Sequence, residues 1–194
     1  MVTFEGVRCR SRSLGDRQTE VLRLLDESGP SLFALLTRLT LRQDVAEELM
    51  QELFLRLSDG ENHTAIECLS AYARRTAINL AFDWRRRERR RDAVPIDTVA
   101  EPLSQASGPL ADAVAAEEIE QILGAAGRLN GLLRQAFVLR YIQQESYDTI
   151  AGQLGRTPHQ VRALCFRAMQ QVREAVGRHH LPTNGKGAEN AEKR

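Results

Sequence analysis

The chain has 194 residues, of which 42% are hydrophobic and 27% charged, and its formal net charge is +1. This composition is typical of a soluble globular protein with enough residues to bury one or two cores. Because the charges nearly balance, any attraction to nucleic acid has to come from charge that is segregated along the chain.

The residues present in the sequence also disfavour several classes of protein. No apolar run reaches the roughly 20 residues of a membrane-spanning helix, and the first residues lack the apolar stretch of a signal peptide, so we expect a cytoplasmic protein without membrane contact. Cys9, Cys68 and Cys165 are widely spaced and form no CxxC pair, so we expect reduced thiols and no zinc site. No nucleophile motif, phosphate loop or carboxylate pair stands out. The sequence therefore predicts neither an enzyme nor a bound cofactor.

Helical periodicity dominates the chain and no alternating strand pattern is convincing, which predicts an all-α fold. A first helical group covers about residues 16 to 91, with a predicted break at "SGP" (28 to 30) and a polar loop "SDGENHT" (58 to 64). Residues 92 to 112 combine Pro, Gly, Ser and acids, which is typical of a flexible linker. A second group covers about residues 113 to 177, and we expect the tail 178 to 194 and the first 15 residues to be disordered. The sequence thus predicts two small helical domains joined by an acidic linker.

Charge is segregated at the junction of these parts. Residues 71 to 91 hold eight arginines and two acids, a balance of +6, whereas residues 92 to 118 hold six acids and no Lys or Arg, a balance of −6.

The stretch "DVAEELMQELFLRL", residues 44 to 57, has one clean core stripe at helical spacing: Ala46, Leu49, Met50, Leu53 and Leu57. The reverse face carries Asp44, Glu48, Gln51 and Glu52 around Leu55. An exposed leucine among acids is either an isolated surface residue or the centre of a protein contact.

The next predicted helix, about residues 66 to 91, has a core sector of Leu69, Ala73, Thr76, Ala77, Leu80 and Trp84. Its other side presents Arg75, Asn79, Phe82 and Arg86, with Tyr72 on the flank. Aromatic rings interleaved with arginines suit single-stranded nucleic acid, because rings stack on bases and cations hold phosphates. In the alternative interpretation, Phe82 and Ile78 pack on a neighbouring helix, the arginines favour the helix C-terminus, and Asp83 pairs with Arg87.

Residues 146 to 177 predict a helix-turn-helix. Ile150, Ala151 and Leu154 indicate a short helix that ends at Gly155, and Thr157, Pro158 and Gln160 provide the cap of a second helix. The second helix has a core stripe of Val161, Leu164, Cys165, Ala168 and Val172. Its open face carries His159, Arg162, Ala163, Phe166, Arg167, Gln170 and Arg173, which suits a DNA major groove. The alternative is a solvated amphipathic helix in an ordinary bundle.

Three motifs in this order resemble the sigma factors of bacterial RNA polymerase, specifically the extracytoplasmic-function (ECF) type of the sigma-70 family. "DVAEELMQELFLRL" is similar to the family's core-binding helix, "YARRTAINLAFDWRRRERRR" to the helix that contacts the promoter minus-ten element, and "LLRQAFVLRYIQQESYDTIAGQLGRTPHQVRALCFRAMQQVR" to the region that binds the minus-35 element. The resemblance covers residues 31 to 177.

The resemblance implies a role for each surface. Contacts with the β′ clamp coiled coil of core RNA polymerase fall on Asp44, Glu48, Gln51, Glu52 and Leu55, and the β flap is a further polymerase contact of the family. Minus-ten contacts, including a base flipped from the single strand toward Asn79 and the loop 58 to 69, fall on Tyr72, Arg75, Thr76, Asn79, Asp83 and Arg86. Contacts with the double-stranded minus-35 element fall on His159, Gln160, Arg162, Ala163, Phe166 and Arg167. An anti-sigma factor is a frequent partner of the family, and polymerisation chemistry belongs to the polymerase.

Two other functions fit parts of the pattern. A stand-alone helix-turn-helix regulator would use the first helical group to dimerise, but it leaves the acidic linker and the Glu48 face without a role. An antagonist that docks on polymerase without reading DNA leaves the face of Arg162, Phe166 and Arg167 unexplained.

Overall fold

The structure is a computed structural model that describes residues 14 to 59, 68 to 92 and 110 to 177. These residues form α1 (Leu14–Thr40), α2 (Gln43–Ser58), α3 (Leu69–Asp92), α4 (Leu110–Ala126), α5 (Gly131–Phe137) with a π-helical continuation (Val138–Ile142), α6 (Tyr147–Leu154) and α7 (Pro158–Gly177). No strand occurs in these ranges, so the all-α prediction is confirmed. The predicted N-terminal and C-terminal disorder, most of the loop 58 to 64 and most of the linker 92 to 112 lie outside the described residues.

The predicted break at residues 28 to 30 is wrong, because α1 continues through Pro30 to Thr40. Pro30 removes one backbone hydrogen bond, to the carbonyl of Asp26, but both residues are exposed, so water can satisfy that carbonyl. Beyond the proline, four leucines are at most 1% exposed and hold the helix against its neighbours: Leu32, Leu35, Leu36 and Leu39. The free energy gained by burying this stripe is larger than the local cost of the proline in the helix.

Helix α2 confirms its predicted core stripe. Ala46, Leu49, Leu53 and Leu57 are buried, Met50 is partly buried, and Val45 joins them. This stripe packs on α1 and α3, and the three helices enclose the first part of the core. The acidic face of α2 is therefore directed away from the core.

Helix α3 has two buried sides instead of one. The predicted sector is buried except for Trp84, which is half-buried. Ile78 and Phe82 are also buried, at 1% and 3% exposure, so the alternative in which they pack on a neighbouring helix is correct. A Cβ at Gly127 would lie 3.3 Å from the Phe82 ring, which shows how closely the end of α4 approaches. A narrow strip between the two buried sides is left for other contacts.

Arg85 belongs to the arginine run, yet it is only 5% exposed. Its Nη1 donates a hydrogen bond to the carbonyl of Leu39, at 3.1 Å, and its Nη2 pairs with Glu120 of α4. Carbonyls in the last turn of a helix lack an intrahelical donor, and a cation there also complements the helix dipole. Arg85 thus caps the C-terminus of α1 and links it to α4.

The helix-turn-helix forms as predicted. The side chain of Ser146 caps α6, and Gly155 ends it in the left-handed conformation, at φ +60°. The backbone N–H of Thr157 donates to Oε1 of Gln160, while Oγ1 of Thr157 accepts from the N–H of Gln160, at 3.1 and 3.3 Å. This reciprocal capping box fixes where α7 begins.

Helix α7 packs on α4, α5 and α6. A small apolar cluster, which includes Ile150, Val161 and Cys165, holds the helix-turn-helix together. The larger cluster continues from α1, α2 and α3 into α4, α5 and α7. The first and second helical groups therefore share one apolar core in this structure, which the sequence did not indicate.

Candidate polymerase and nucleic-acid interfaces

The acidic face of α2 has an ion pair at each end and the exposed Leu55 at its centre. Leu55 is 65% exposed, and Glu48 and Gln51 are exposed beside it. At one end, Arg42 hydrogen-bonds Asp44, at 2.5 Å, and holds the pKa of that carboxyl below its usual value. At the other end, Arg56 pairs with Glu52, at 2.5 Å. The face can therefore offer the exposed Leu55 side chain at its centre, with the exposed carboxylate of Glu48 beside it.

Phe54 extends this face and was missed by the sequence reasoning. It is 37% exposed on the flank next to Gln51. Its position between the core stripe and the acidic face on the helical wheel was a signal that could have identified it. With Leu55, it places two large apolar side chains on one exposed surface.

The predicted minus-ten residues lie along the strip between the buried sides of α3. Arg75 and Arg86 are exposed, whereas Tyr72, Asn79 and Asp83 are half-buried. Asp83 accepts a hydrogen bond from Arg86, at 2.7 Å, so the alternative in which it pairs with Arg87 is wrong. Asp83 and Arg86 line the same cleft, whereas Arg87 is not part of its lining.

Thr76 was predicted both as a core residue and as a minus-ten contact. It is 8% exposed, which confirms the core position. In this structure its side chain is not available to a DNA strand, because it is buried in the protein.

The side-chain amide of Asn79 is hydrogen-bonded to another residue of the chain. Its Oδ1 accepts a hydrogen bond from Nη2 of Arg134 on α5, at 3.1 Å, and the same guanidinium lies 5.2 Å from the centre of the Phe82 ring. Burial lowers the pKa of Arg134, and Asp83 opposes that shift. Arg134 was not identified from the sequence, which contains no signal for a contact between residues so far apart in the chain.

The strip forms one wall of a cleft of about 1060 Å³ whose other wall is built from α5, α6 and the turn after α6. Six arginines line the cleft against a single acid, Asp83: Arg56, Arg74, Arg75, Arg86, Arg134 and Arg156. Three of these arginines pair with acids, namely Arg56 with Glu52, Arg74 with Glu145 and Arg86 with Asp83. The net positive charge that remains suits a polyanion such as a nucleic-acid strand.

The arginine run of residues 85 to 91 has more than one use. Arg85 is buried, and Arg89 donates to the carbonyl of Gly124 on α4, at 3.5 Å. Arg87 and Arg90 are exposed, as is Arg91, which pairs with Glu88 at 3.6 Å. Arg87, Arg90 and Arg91 can attract phosphate, whereas Arg85 and Arg89 contact Glu120 and Gly124 of α4.

The open face of α7 matches its prediction. Core residues Val161, Cys165, Ala168 and Val172 are buried, and Leu164 is partly buried. On the opposite side, Phe166 is 62% exposed and Ala163 is half-buried. The polar members of this face are exposed: His159, Gln160, Arg162, Arg167, Gln170 and Arg173.

Tyr147 supports this face from α6. The guanidinium of Arg162 lies 5.3 Å from the centre of its ring, and that of Arg140 lies 4.5 Å from it. Cations over aromatic rings are stabilised by the ring quadrupole. Tyr147 was not identified from the sequence, although its place in the first turn of α6 could have suggested contact with α7.

The described residues hold no group of three or more side chains with metal-ligating chemistry. Cys165 is buried and Cys68 is exposed, both as free thiols, while Cys9 lies outside the described residues. Burial raises the pKa of Cys165, whose thiol faces the carbonyl of Ala136 at 3.7 Å. This agrees with the predicted core position. No helix within the described ranges has the length and hydropathy to cross a membrane.

Two protein-family models match this chain. The family model "Sigma-70 region 2" matches residues 24–91, and "Sigma-70, region 4" matches residues 119–172. A comparison with curated proteins gives no match.

Two solved structures are similar to the chain. The sigma factor RpoE from Bartonella quintana, solved in complex with the anti-sigma factor NepR, is 23% identical, with 84% of this chain and 97% of that chain covered and a TM-score of 0.43. A chain of the RsbN–BldN complex is 19% identical, with 84% and 99% covered and a TM-score of 0.29.

The two family models match 68 and 54 residues, which together make 122 of 194. Because more than half of the chain is matched, in the order region 2 then region 4, the chain belongs to the sigma-70 family of promoter-recognising transcription initiation factors.

Proposed function

We propose that this chain is an ECF-type sigma factor that brings core RNA polymerase to promoters through three separate faces. Residues 16 to 91 act as the polymerase-binding and minus-ten domain, residues 113 to 177 act as the minus-35 domain, and residues 92 to 112 link them. The observation that carries the proposal is that each matched region presents an exposed face of the required chemistry: acids around Leu55 on α2, and arginines around Phe166 on α7.

The polymerase contact is proposed for Asp44, Glu48, Gln51, Glu52 and Leu55. Most of the Leu55 side chain is exposed and can be buried against a partner. Burying a leucine side chain contributes about 1.5 to 3 kcal/mol to the free energy of binding. Charged neighbours select a basic surface and exclude wrong partners. Phe54 would enlarge the apolar centre.

The minus-ten contact is proposed for Tyr72, Arg75, Asn79, Asp83 and Arg86, with Thr76 beneath them. An amide beside a half-buried ring can hydrogen-bond the edge of an unstacked base, while the arginines bind the strand's phosphates. Strand opening would thus be stabilised by binding the single strand that results.

The minus-35 contact is proposed for His159, Gln160, Arg162, Ala163, Phe166 and Arg167 of α7. Arginines read guanine edges in the major groove, and an exposed phenylalanine contacts thymine methyl groups. Such a helix suits the recognition element of a helix-turn-helix.

The remaining assignments follow from the same proposal. The chain has no catalytic role of its own, acts in the cytoplasm, needs no cofactor and leaves RNA synthesis to the polymerase. Its partners are the β′ clamp and β flap of core polymerase, single- and double-stranded promoter DNA, and an anti-sigma factor.

Binding experiments that separate the faces test the assignment. Leu55→Ala and Glu48→Lys should each weaken binding to core polymerase about tenfold or more. Both side chains are exposed in the free chain, so each change removes a contact with the polymerase and not a contact within the fold. Asp26→Lys, which places the same charge change on an exposed position of α1, is the control and should bind as the wild type does. Equal affinity for all three variants would overturn the α2 assignment.

The α7 face has a parallel test. Arg167→Ala should weaken initiation at promoters with a minus-35 element by about 1 to 3 kcal/mol if the arginine reads a base. Binding to core polymerase without DNA should stay unchanged. Equal activity of the chain on promoters with and without a minus-35 element would argue against base reading by this face.

A further inference from the structure

Tyr147, the first residue of α6, is in contact with two arginine side chains. The guanidinium carbon of Arg140 lies 4.5 Å from the centre of the Tyr147 ring, and that of Arg162 lies 5.3 Å from it. Both distances are within the range of cation–π attraction. Arg140 belongs to the π-helical segment and Arg162 to the α7 face that is proposed to read DNA. The ring therefore connects the reading face to the element that precedes α6.

The Tyr147 ring is itself held in place by its surroundings. It packs against the small apolar cluster that includes Ile150, and the side-chain cap of Ser146 fixes the first turn of α6. Arg140 is held as well, because its Nη1 donates a hydrogen bond to the carbonyl of Glu145, at 2.8 Å. The ring and Arg140 thus form a fixed support, beside which the Arg162 side chain lies.

The contact with the ring leaves the hydrogen-bonding groups of Arg162 available. Arg162 is exposed, and within the described part of the chain no carboxylate or carbonyl oxygen accepts a hydrogen bond from its guanidinium. A ring attracts a guanidinium through its face and accepts none of the N–H bonds that arginine offers to a guanine edge. Arginine loses much rotamer freedom when it is ordered, so a side chain that is ordered beforehand loses less on binding.

We propose that Tyr147 is a positioning residue for minus-35 recognition, which holds Arg162 in the orientation that reads a base pair. The inference rests on the proposed function, since Arg162 is taken to contact the minus-35 element. Tyr147 acts through Arg162 and makes no base contact of its own. The aromatic ring carries this role and the hydroxyl group does not, because a cation–π contact involves the ring face. Phenylalanine should therefore replace Tyr147, and leucine should not.

The test uses holoenzyme assembled from the full chain and core polymerase. Abortive initiation is measured on a set of promoters in which each base pair of the minus-35 element is changed in turn. The base pair that Arg162 reads is the one that Arg162→Ala no longer distinguishes. At that position, Tyr147→Leu should lower the preference for the best base pair about two- to fivefold, whereas Tyr147→Phe should stay within about twofold of the wild type.

A double-mutant cycle separates positioning from an independent contact. If Tyr147 acts only through Arg162, the double variant Arg162→Ala/Tyr147→Leu should initiate at the best promoter as well as Arg162→Ala alone. A tyrosine that bound a phosphate by itself would add a second loss.

Tyr141→Leu is the matched control for the loss of a ring. Tyr141 is 39% exposed in the same half of the chain, and its ring lies 5.2 Å from that of Phe137. This variant should leave the base preference unchanged, even if it lowers Tm. Circular dichroism checks that every variant keeps its helices.

The contact between ring and cation can be measured without DNA or polymerase. The ring current of Tyr147 should shift the side-chain δ protons of Arg162 upfield in NMR spectra of the full chain. Tyr147→Phe should keep this shift and Tyr147→Leu should lose it. An Arg162 spectrum that is the same in all three proteins would contradict the contact.

The positioning role is overturned if Tyr147→Leu keeps the wild-type base preference, if Tyr147→Phe loses as much preference as Tyr147→Leu, or if the losses add in the double variant. Its failure differs from failure of the proposed function. If the wild type initiates and Arg162→Ala alters the base preference while Tyr147→Leu does not, only the positioning role is wrong. If the wild type initiates at no specific promoter with active polymerase, the proposed function is wrong and the positioning role falls with it.

Discussion

Arg85→Ala tests whether the arginine run serves structure as well as DNA binding. Arg85 is 5% exposed, and it caps the Leu39 carbonyl at the end of α1. Arg87, two residues further along the same helix, is exposed. Both changes remove one positive charge, so Arg87→Ala is a matched control.

The expected cost of Arg85→Ala has two main parts. The aliphatic stem loses two buried methylene groups beyond the retained Cβ, at about 0.8 kcal/mol each. The Leu39 carbonyl loses its donor, which costs about 1 to 3 kcal/mol where water cannot replace it. Removing the buried guanidinium also relieves its desolvation penalty, which is the cause of its lowered pKa. The net loss in the free energy of unfolding should be about 2 kcal/mol.

For a chain of this size, that loss lowers Tm by roughly 4 to 8 °C, as measured by calorimetry or circular dichroism. Arg87→Ala should leave the free energy of unfolding within about 0.5 kcal/mol of the wild type. If Arg87 binds a phosphate, its removal should instead lower the salt dependence of DNA binding by about 0.9 in the log–log slope. Equal Tm values for the two variants would refute the capping role of Arg85.

Three further predictions concern the second half of the chain. Gly155→Ala should cost about 1 to 2 kcal/mol of unfolding free energy, because Gly155 has φ +60°. Gly152→Ala, at an exposed helical position, should instead stabilise the protein by about 0.5 to 1 kcal/mol. Chemical denaturation measures both variants, and a change of the same sign in both would contradict the prediction. Phe166→Ala should leave unfolding unchanged within about 0.5 kcal/mol yet weaken binding to minus-35 duplexes by about 1 to 3 kcal/mol, measured by anisotropy; a stability loss without a binding loss would place Phe166 in the core. In a Cys9→Ser background, Cys68 should react with a thiol reagent in the folded protein and Cys165 only after unfolding; equal reaction rates would contradict the burial of Cys165. Burial raises the pKa of Cys165, so the thiol loses its proton at a lower pH in the unfolded chain than in the folded one. The free energy of unfolding should therefore fall as the pH rises above about 8.5.

The elements with one buried side were well predicted from the sequence. Helix α7 packs its core through Val161, Cys165 and Val172, so a single apolar stripe defines both the core and the open face. The turn before it was equally clear, because Gly155 and Thr157 act through local backbone chemistry. Such features depend on residues a few positions apart, which a single sequence displays directly.

Features set by distant parts of the chain were not predicted. Helix α3 is buried on two sides, so its wheel could not show whether Phe82 faced a base or a helix. Arg85 has the same chemistry as its neighbours in the run, and only its register against α1 makes it a cap. Arg134 reaches Asn79 across 55 positions, for which no local pattern exists.

Pro30 shows the opposite failure, in which a local signal was given too much weight. Glycine and proline together predicted a break, but the buried leucines on the far side of Pro30 keep α1 continuous. A proline on the exposed side of a helix removes one hydrogen bond at a place where water can replace it. Burial of the apolar stripe therefore decides the outcome.

The proposed function of this chain is to direct core RNA polymerase to specific promoters. The most direct test mixes the purified chain with active core polymerase and genomic DNA fragments and sequences the 5′ ends of the run-off transcripts. A sigma factor should give a discrete set of start sites that share upstream elements and depend on the chain. Transcripts that start at random positions, or at the same positions with and without the chain, would contradict it.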